Sequence, residues 1–168
     1  EGAPAVRATV QYGGAHPRDN CLELYRDDGM DLWHCGPDAC CDVEYADGGR
    51  YTGPCLRGAI PHGNQCTFIE PDGTEYRGSF YQGMRSNSDH SELRLPNGVL
   101  YKGHFLYGEG NGERHGPGQI QIPPSLYHKV GFVHFEGNFG FGFRHGDGKM
   151  RFDDGSVYRG SFTKNLRH

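Results

Sequence analysis

Polar and apolar residues alternate in short runs along the chain, and glycine bounds each run. The runs are separated by Asp47-Gly48, Asp72-Gly73, Asn97-Gly98 and Asp154-Gly155. Alternation with a period of two predicts β-strands, and Asp-Gly or Asn-Gly between such runs predicts a hairpin, because type I′ turns need positive φ. No segment has a convincing helical period. The pattern therefore predicts an all-β chain of antiparallel hairpins.

A Tyr/Phe-x-Gly motif recurs in phase with these turns. Its aromatic residue, called the anchor below, is in turn Tyr51, Tyr76, Tyr101, Phe135 and Tyr158. Four residues after the anchor stand Phe80, Phe105, Phe139 and Phe162, with Cys55 in that place in the first unit. Seven residues after the anchor come Gly58, Gly83, Gly108 and Gly142. Several features that agree in phase indicate a repeat.

The unit FEGNFGFGFRHGDGKMRFDDGSVYRGSF (135–162) resembles a MORN (membrane occupation and recognition nexus) repeat, Y-x-G-x-F/W-x-x-G-x-x-x-G-x-G followed by an apolar strand and DG. The resemblance covers residues 41–168, with an insertion around 119–134. It implies an elongated antiparallel hairpin meander that forms a single twisted or curled sheet with little or no helix. Residues 1–40 are expected to be a degenerate, cysteine-containing N-terminal repeat or cap.

The Asp154-Gly155 turn sets an expected register in which Phe152 lies opposite Tyr158 and Met150 opposite Gly160. The same register places Tyr45 opposite Tyr51, Val43 opposite Gly53, Phe68 opposite Gly78, Leu95 opposite Tyr101, and Leu93 opposite Gly103. A large apolar side chain would thus cover a glycine across each hairpin. Anchors, glycines and +4 aromatics share one face of the predicted sheet. The other face is expected to be polar, with Arg77, Ser79, Lys102, His104, Glu136, Asn138, Arg159 and Ser161.

Composition adds a charge asymmetry. Among 168 residues, 28 glycines and 35% hydrophobic residues are typical of disorder, but ten Tyr and ten Phe argue for a folded chain. Residues 1–84 carry 6 Lys+Arg and 13 Asp+Glu, or −7, whereas residues 85–168 carry 11 and 8, or +3. The acidic half argues against nucleic-acid binding.

All six cysteines lie within residues 21–66. The expected register places Cys55 directly opposite Cys41, with Cys66 as a competitor, and Cys21 near Cys35 across a turn, which leaves Cys40. Disulfides are the preferred interpretation and favour an oxidising compartment: an organellar lumen, the intermembrane space or secretion, with the cytoplasm as the alternative. Zinc binding through HCGPDACC (34–41) with Cys55 or Cys66, and buried thiols, remain open.

The sequence contains no phosphate loop, H-E-x-x-H or G-x-S-x-G motif, so no enzyme activity, metal or cofactor is expected. His62, His115 and His145, each before a glycine, are expected to bond the local backbone of their own turn. A single sheet must bury its apolar face, and an open apolar groove marks a binding site. The predicted function is that of a non-catalytic protein-interaction or scaffold module. The module would be an accessory or structural subunit of a larger assembly, for which association with a membrane is one option. The partner-binding candidates are Tyr76, Phe80, Tyr101, Phe105, Phe135, Phe139, Phe152, Tyr158 and Phe162.

The alternative function is peripheral binding to anionic membrane lipids through the basic C-terminal half. Similarity to MORN proteins also implies such binding. The candidate residues are Arg144, Lys149, Arg151, Arg159, Lys164 and Arg167. Acidic side chains at 136, 147, 153 and 154 lie among these cations in the sequence and weaken the patch.

Overall fold

The structure is a computed structural model that describes residues 7–12, 21–24, 39–56, 60–86, 91–106 and 112–168. The strands are β1 (Arg7–Tyr12), β2 (Cys21–Leu24), β3 (Ala39–Glu44), β4 (Arg50–Leu56), β5 (Ile60–Pro61), β6 (Gly63–Ile69), β7 (Glu75–Tyr81), β8 (Met84–Ser86), β9 (Glu92–Arg94), β10 (Leu100–Phe105), β11 (Arg114–Gln121), β12 (His134–Gly140), β13 (Phe143–Arg151), β14 (Val157–Thr163) and β15 (Leu166–Arg167). Within these ranges the helical segments are a 3-10 turn (Pro124–Leu126) and helix α1 (Tyr127–Val130). The predicted all-β meander with little helix is confirmed.

The chain forms two compact units, residues 1–84 (unit 1) and residues 85–168 (unit 2). In unit 1 the strand order is β2-β1-β3-β4-β6-β7, and β5 also pairs with β4. In unit 2 strands β9 to β15 lie side by side in chain order, each antiparallel to the next. The expected division near residue 40 falls inside unit 1.

The Asp-Gly turns are three-residue loops rather than two-residue type I′ turns. Phe152 donates its N–H to the Ser156 carbonyl (3.0 Å) and accepts from the Gly155 N–H (3.1 Å). Gly155 has φ of 84°, and Asp154 Oδ1 accepts from the Ser156 N–H at 2.8 Å. This is a type I turn that ends on a left-handed glycine. Gly48, Gly73 and Gly98 end equivalent turns.

Type I′ turns lie at the opposite ends of the hairpins, seven residues after the anchor. Gly140 pairs with Phe143, and the two residues between them, Phe141 and Gly142, both have positive φ (49° and 81°). Two other pairs have similar positive φ values: Gln82-Gly83 (49° and 81°) and Lys164-Asn165 (47° and 74°). Gly83 and Gly142, and Asn165 at the equivalent position, therefore each complete a type I′ turn.

The three-residue loops move the register by two residues from the expected one. Met150 pairs with Tyr158 and Gly148 with Gly160, so the predicted Phe152–Tyr158 and Met150–Gly160 pairs are wrong. The same correction applies to the other three hairpins, where the pairs are Val43–Tyr51, Cys41–Gly53, Phe68–Tyr76, Cys66–Gly78 and Leu93–Tyr101. A shift of two keeps every side chain on its predicted face, because strand side chains alternate with a period of two.

Glycines pair with glycines across unit 2, and anchor rings cover them. The paired row is Gly103, Gly118, Gly137, Gly148 and Gly160. A Cβ added to Gly148 would lie 2.7 Å from Phe135 Cε2, and one added to Gly137 would lie 2.8 Å from Phe135 Cζ. The predicted cover over glycine exists, but the anchor ring supplies it rather than the residue expected across the hairpin.

The insertion expected around 119–134 occupies residues 122–133, because β11 extends to Gln121. Its ends are joined by a hydrogen bond from the Ile122 N–H to the Val133 carbonyl (3.0 Å). Ile122, Phe132 and Val133 are buried. The insertion therefore adds apolar side chains to the core of unit 2.

Candidate binding surface

Most of the predicted partner-binding aromatics form the core. Seven of the nine are at most 6% exposed: Tyr76, Phe80, Tyr101, Phe105, Phe135, Phe139 and Phe162. Phe152 and Tyr158 are only partly buried. The aromatic face therefore largely covers itself, and among these nine candidates only Phe152 and Tyr158 keep part of their ring surface exposed.

The rings of unit 2 pack edge to face in a continuous zigzag. Centroid distances are 5.1 Å for Tyr101–Phe139, 5.3 Å for Phe139–Phe135, 5.0 Å for Phe135–Phe162 and 5.4 Å for Phe162–Tyr158. The ring planes are between 82° and 89° apart. Edge-to-face pairs are the favoured geometry, because the positive ring edge meets the negative ring face. Such packing fixes the rings as a rigid base for any group above them.

One arginine lies over each anchor ring of unit 2. The Cζ atom is 5.7 Å from the Tyr101 centroid for Arg114 and 5.7 Å from the Phe135 centroid for Arg144. Arg167 Cζ is 5.6 Å from the Tyr158 centroid. These distances are within the range of cation–π contacts. We call Arg114, Arg144 and Arg167 the arginine row.

The hairpin register produces this arrangement. Each arginine of the row pairs directly with the +4 aromatic of its hairpin, the pairs being Phe105–Arg114, Phe139–Arg144 and Phe162–Arg167. Directly paired side chains share a face of the sheet, so each guanidinium extends over the ring zigzag.

Arg144 is the most firmly held member of the row. Its Nε donates to Asn165 Oδ1 (3.3 Å) and its Nη2 to the Asn165 carbonyl (3.2 Å). Its Cζ is also 4.7 Å from the Phe132 ring centroid. Its Nη1 is buried and has no hydrogen-bond partner among the described residues. The type I′ turn and the insertion therefore orient this guanidinium together.

The arginine row concentrates positive charge on the aromatic face of unit 2. Within the described part of the chain no carboxylate lies within salt-bridge distance of its three guanidinium groups, whereas Arg50, Arg77 and Lys102 each pair with a glutamate. The pKa of Arg144 is lowered by burial and then by the charges of Arg114 and Arg167. Burial also lowers the pKa of Arg114, although Tyr101 and Glu113 oppose that shift. An anion near the row would relieve this repulsion.

The six lipid candidates do not form one patch. Arg144 and Arg167 belong to the aromatic face, whereas Lys149 lies on the polar face, paired with Arg159 on one side and Glu136 on the other. The two remaining candidates are exposed: Arg151, on the same face of β13 as the paired lysine, and Lys164, in a type I′ turn.

The polar face of unit 2 carries an open cleft of about 540 Å³. Its side chains are those of Lys102, His104, Pro117, Gln119, Glu136 and Asn138. Lys102 already pairs with Glu92, outside the cleft lining. The predicted polar face is thus confirmed here, but Ser79 of unit 1 is an exception, because it is buried and donates to Asn64 Oδ1 (2.8 Å).

The cysteines of unit 1 bear out one predicted pair. Cys41 and Cys55 form a disulfide with a Cα–Cα distance of 6.2 Å. They are diagonal neighbours, because Cys41 pairs with Gly53 rather than with Cys55. Cys66 is buried, and its Sγ accepts from the Tyr51 hydroxyl (3.2 Å) and donates to the Gly63 carbonyl (3.4 Å). The described backbone pairs both Cys21 and Cys40 with Gln11, while their side chains, and all of Cys35, lie outside the described residues.

Two histidines bond turn backbone, but it is the backbone of a distant turn rather than the local backbone that was expected. His62 Nδ1 accepts from the Gln82 N–H (3.2 Å), and His115 Nδ1 accepts from the Phe141 N–H (3.5 Å). In each case the turn belongs to the next hairpin and is of type I′. In the described part of the chain, no group of three or more His, Cys, Asp and Glu side chains is placed to hold a metal ion.

Sequence reasoning missed Arg114 as a site residue. A signal was present, because Arg-His-Gly-x-Gly occurs at both 114–118 and 144–148.

Comparison with protein-family models finds no matching family, and comparison with curated proteins finds no match either. The resemblance to MORN repeats therefore rests on the residue spacing alone. No helix in the described ranges is long and apolar enough to cross a bilayer.

Proposed function

We propose that this chain is a non-catalytic interaction module that binds a protein partner over the aromatic face of unit 2, as an accessory or structural subunit of a larger assembly. One observation carries the proposal: three arginines stand on a rigid base of rings without a carboxylate partner among the described residues. Arginine and exposed aromatic side chains are enriched where proteins bind one another.

The fold supports this proposal because it pre-orients the surface. The ring zigzag and the Asn165 hydrogen bonds fix the position of Arg144 before any partner arrives. A pre-organised surface loses less conformational entropy on binding than a mobile one. The Cys41–Cys55 disulfide supports an oxidising compartment for the assembly.

Site-specific photo-crosslinking in native extract tests the proposed function. A benzophenone side chain at Tyr158, which is partly exposed beside Arg167, should give discrete protein adducts. The same probe at Gln119, which is exposed on the polar face, is the matched control and should give few. Equal adducts at both positions, or none at Tyr158, would contradict binding over the aromatic face.

A second candidate function is binding to anionic lipid through the polar face. Lys149, Arg151 and Arg159 are exposed there, and Lys149 pairs directly with Arg159. Juxtaposed cations attract an anionic surface, although Glu136 beside Lys149 reduces the charge. Flotation with phosphatidylserine vesicles tests it, because Lys149→Gln with Arg159→Gln should abolish salt-sensitive binding. Unchanged flotation of that double variant would exclude this lipid site.

A further inference from the structure

The arginine row has a spacing that specifies the shape of its ligand. Its members lie on β11, β13 and β15, which are alternate strands of the unit 2 sheet. Neighbouring strands are about 4.8 Å apart, so equivalent positions on alternate strands recur at about 9–10 Å. A polyproline II helix has three residues per turn and rises about 3.1 Å per residue, so every third side chain recurs at about 9.3 Å. The two periods match.

We propose that the arginine row binds a polyproline II segment of a partner protein that carries a carboxylate at every third residue. The inference rests on the proposed function and names the partner's chemistry. The segment would cross the strands, so that successive carboxylates meet Arg114, Arg144 and Arg167. Guanidinium groups bind carboxylates through paired N–H donors, which gives such contacts both strength and direction.

Charge and ring exposure both favour this occupant. Burial and mutual repulsion lower the pKa of Arg144, and a row of carboxylates relieves that repulsion. Phe152 and Tyr158, both only partly buried, lie under Arg167 and provide ring surface for proline. Polyproline II segments are bound in aromatic-lined grooves, because their conformation is pre-formed and costs little entropy on binding.

The recessed position of the row favours a narrow chain over a membrane. Arg114 and Arg144 are only partly exposed, and each lies between an anchor ring and the +4 ring of the next hairpin. The exposed cations Lys149, Arg151 and Arg159 occupy the other face. A bilayer surface meets the outermost cations first, whereas an extended peptide can reach guanidinium groups set among rings.

Fluorescence anisotropy with the full chain and a labelled peptide of four Glu-Pro-Pro repeats tests the proposal. Arg144→Gln should weaken binding by about tenfold or more, the usual loss for one charge-assisted hydrogen bond. Arg159→Gln, which removes the same charge from the polar face, should change the affinity by less than about twofold. A peptide with the same residues in a Glu block and a Pro block should bind more weakly, and a Lys-Pro-Pro peptide should not bind.

Several outcomes would overturn the inference. Equal affinity for the repeat and block peptides would show that the spacing of the carboxylates does not affect binding. An equal loss of affinity in Arg144→Gln and Arg159→Gln would show that only the net charge of the protein matters. Binding of phosphatidylserine vesicles that Arg144→Gln abolishes, with no binding of the peptide, would assign the row to lipid. Circular dichroism checks that each variant is folded. Tyr158 crosslinks to a protein without peptide binding would refute the acidic period but not the proposed function, whereas absent crosslinks would refute the function itself.

Discussion

The hairpins that begin at Tyr51 in unit 1 and at Phe135 in unit 2 solve the same packing problem differently. Four residues after the anchor, unit 1 has Cys55, which is bonded to Cys41, and unit 2 has Phe139, which packs against two anchor rings. Five residues further, unit 1 has Ile60 and unit 2 has Arg144. The residue four positions after the anchor thus ties its strand to neighbouring residues, either through a disulfide, as in Cys55, or through ring packing, as in Phe139. Arginine pairs directly with the ring in the unit 2 hairpins that begin at Tyr101, Phe135 and Tyr158, and the proposed binding surface lies over these hairpins.

Removing an anchor ring should have the largest effect on stability. Phe135 is fully buried, covers Gly137 and Gly148, and contacts two other rings. Phe135→Ala should lower the free energy of unfolding by about 3–5 kcal/mol, because it removes apolar contacts and leaves a cavity. Chemical denaturation measures the change.

The control for this variant is Phe143→Ala on the neighbouring strand, where the ring is 45% exposed. That change should stay within about 0.5 kcal/mol. Similar losses in both variants would show that the anchor ring is not the centre of the unit 2 core.

Removing the disulfide should have the next largest effect and should act on unit 1. The bond closes a loop with a sequence separation of 14 residues. Replacing Cys41 and Cys55 by serine should cost about 3 kcal/mol, because the unfolded chain regains the entropy that a loop of this size had lost. Hydrogen exchange with mass spectrometry should show faster exchange in β3 and β4 and unchanged exchange in β12 and β13. Faster exchange confined to unit 2 would show that the disulfide does not stabilise unit 1.

The sequence could predict the repeat, the faces and one disulfide, because anchor spacing and alternation are local properties of the chain. It could not predict the register, since Asp154-Gly155 fits both a two-residue and a three-residue loop, and only the backbone hydrogen bonds of Phe152 distinguish them. Nor could it predict that Phe139 is buried while Tyr158 is not, because that depends on contacts between hairpins. Phe139 is therefore a poor position for a binding test, since its loss would unfold the surface.

Adding a methyl group to the glycine row should have an intermediate effect. In Gly148→Ala the new Cβ would lie 2.7 Å from the Phe135 ring, which is buried and cannot move freely. We expect a loss of about 1–3 kcal/mol from overpacking. In Gly140→Ala the new Cβ would meet His145 at an ordinary 3.5 Å, and that variant should be neutral or slightly more stable. Thermal unfolding measures the stability of both variants. Equal stability would show that the Phe135 ring does not pack closely against Gly148.

The smallest expected effect is a pH dependence at His134. Its pKa is lowered by burial and then by the charge of Arg151. The unfolded chain therefore takes up this proton at a higher pH than the folded chain. The contribution to stability is intact above the unfolded pKa of about 6.5 and is lost as the pH falls from there toward the folded pKa. Partial exposure of the ring keeps the effect small.

Proton NMR of the His134 ring measures this pKa directly. The value should lie below that of a free histidine, and Arg151→Gln should raise it. A value at or above the free one would show that burial does not act on this side chain.

NMR of the arginine Nε–H groups during addition of the Glu-Pro-Pro peptide tests directly whether the arginine row binds a single segment. We expect the Nε–H signals of Arg114, Arg144 and Arg167 to shift together at one affinity, because a single segment would cross all three hairpins. The Arg159 signal on the polar face should stay in place. Shifts at Arg159 with none in the arginine row, or independent shifts at three different affinities, would show that the row does not bind one continuous segment.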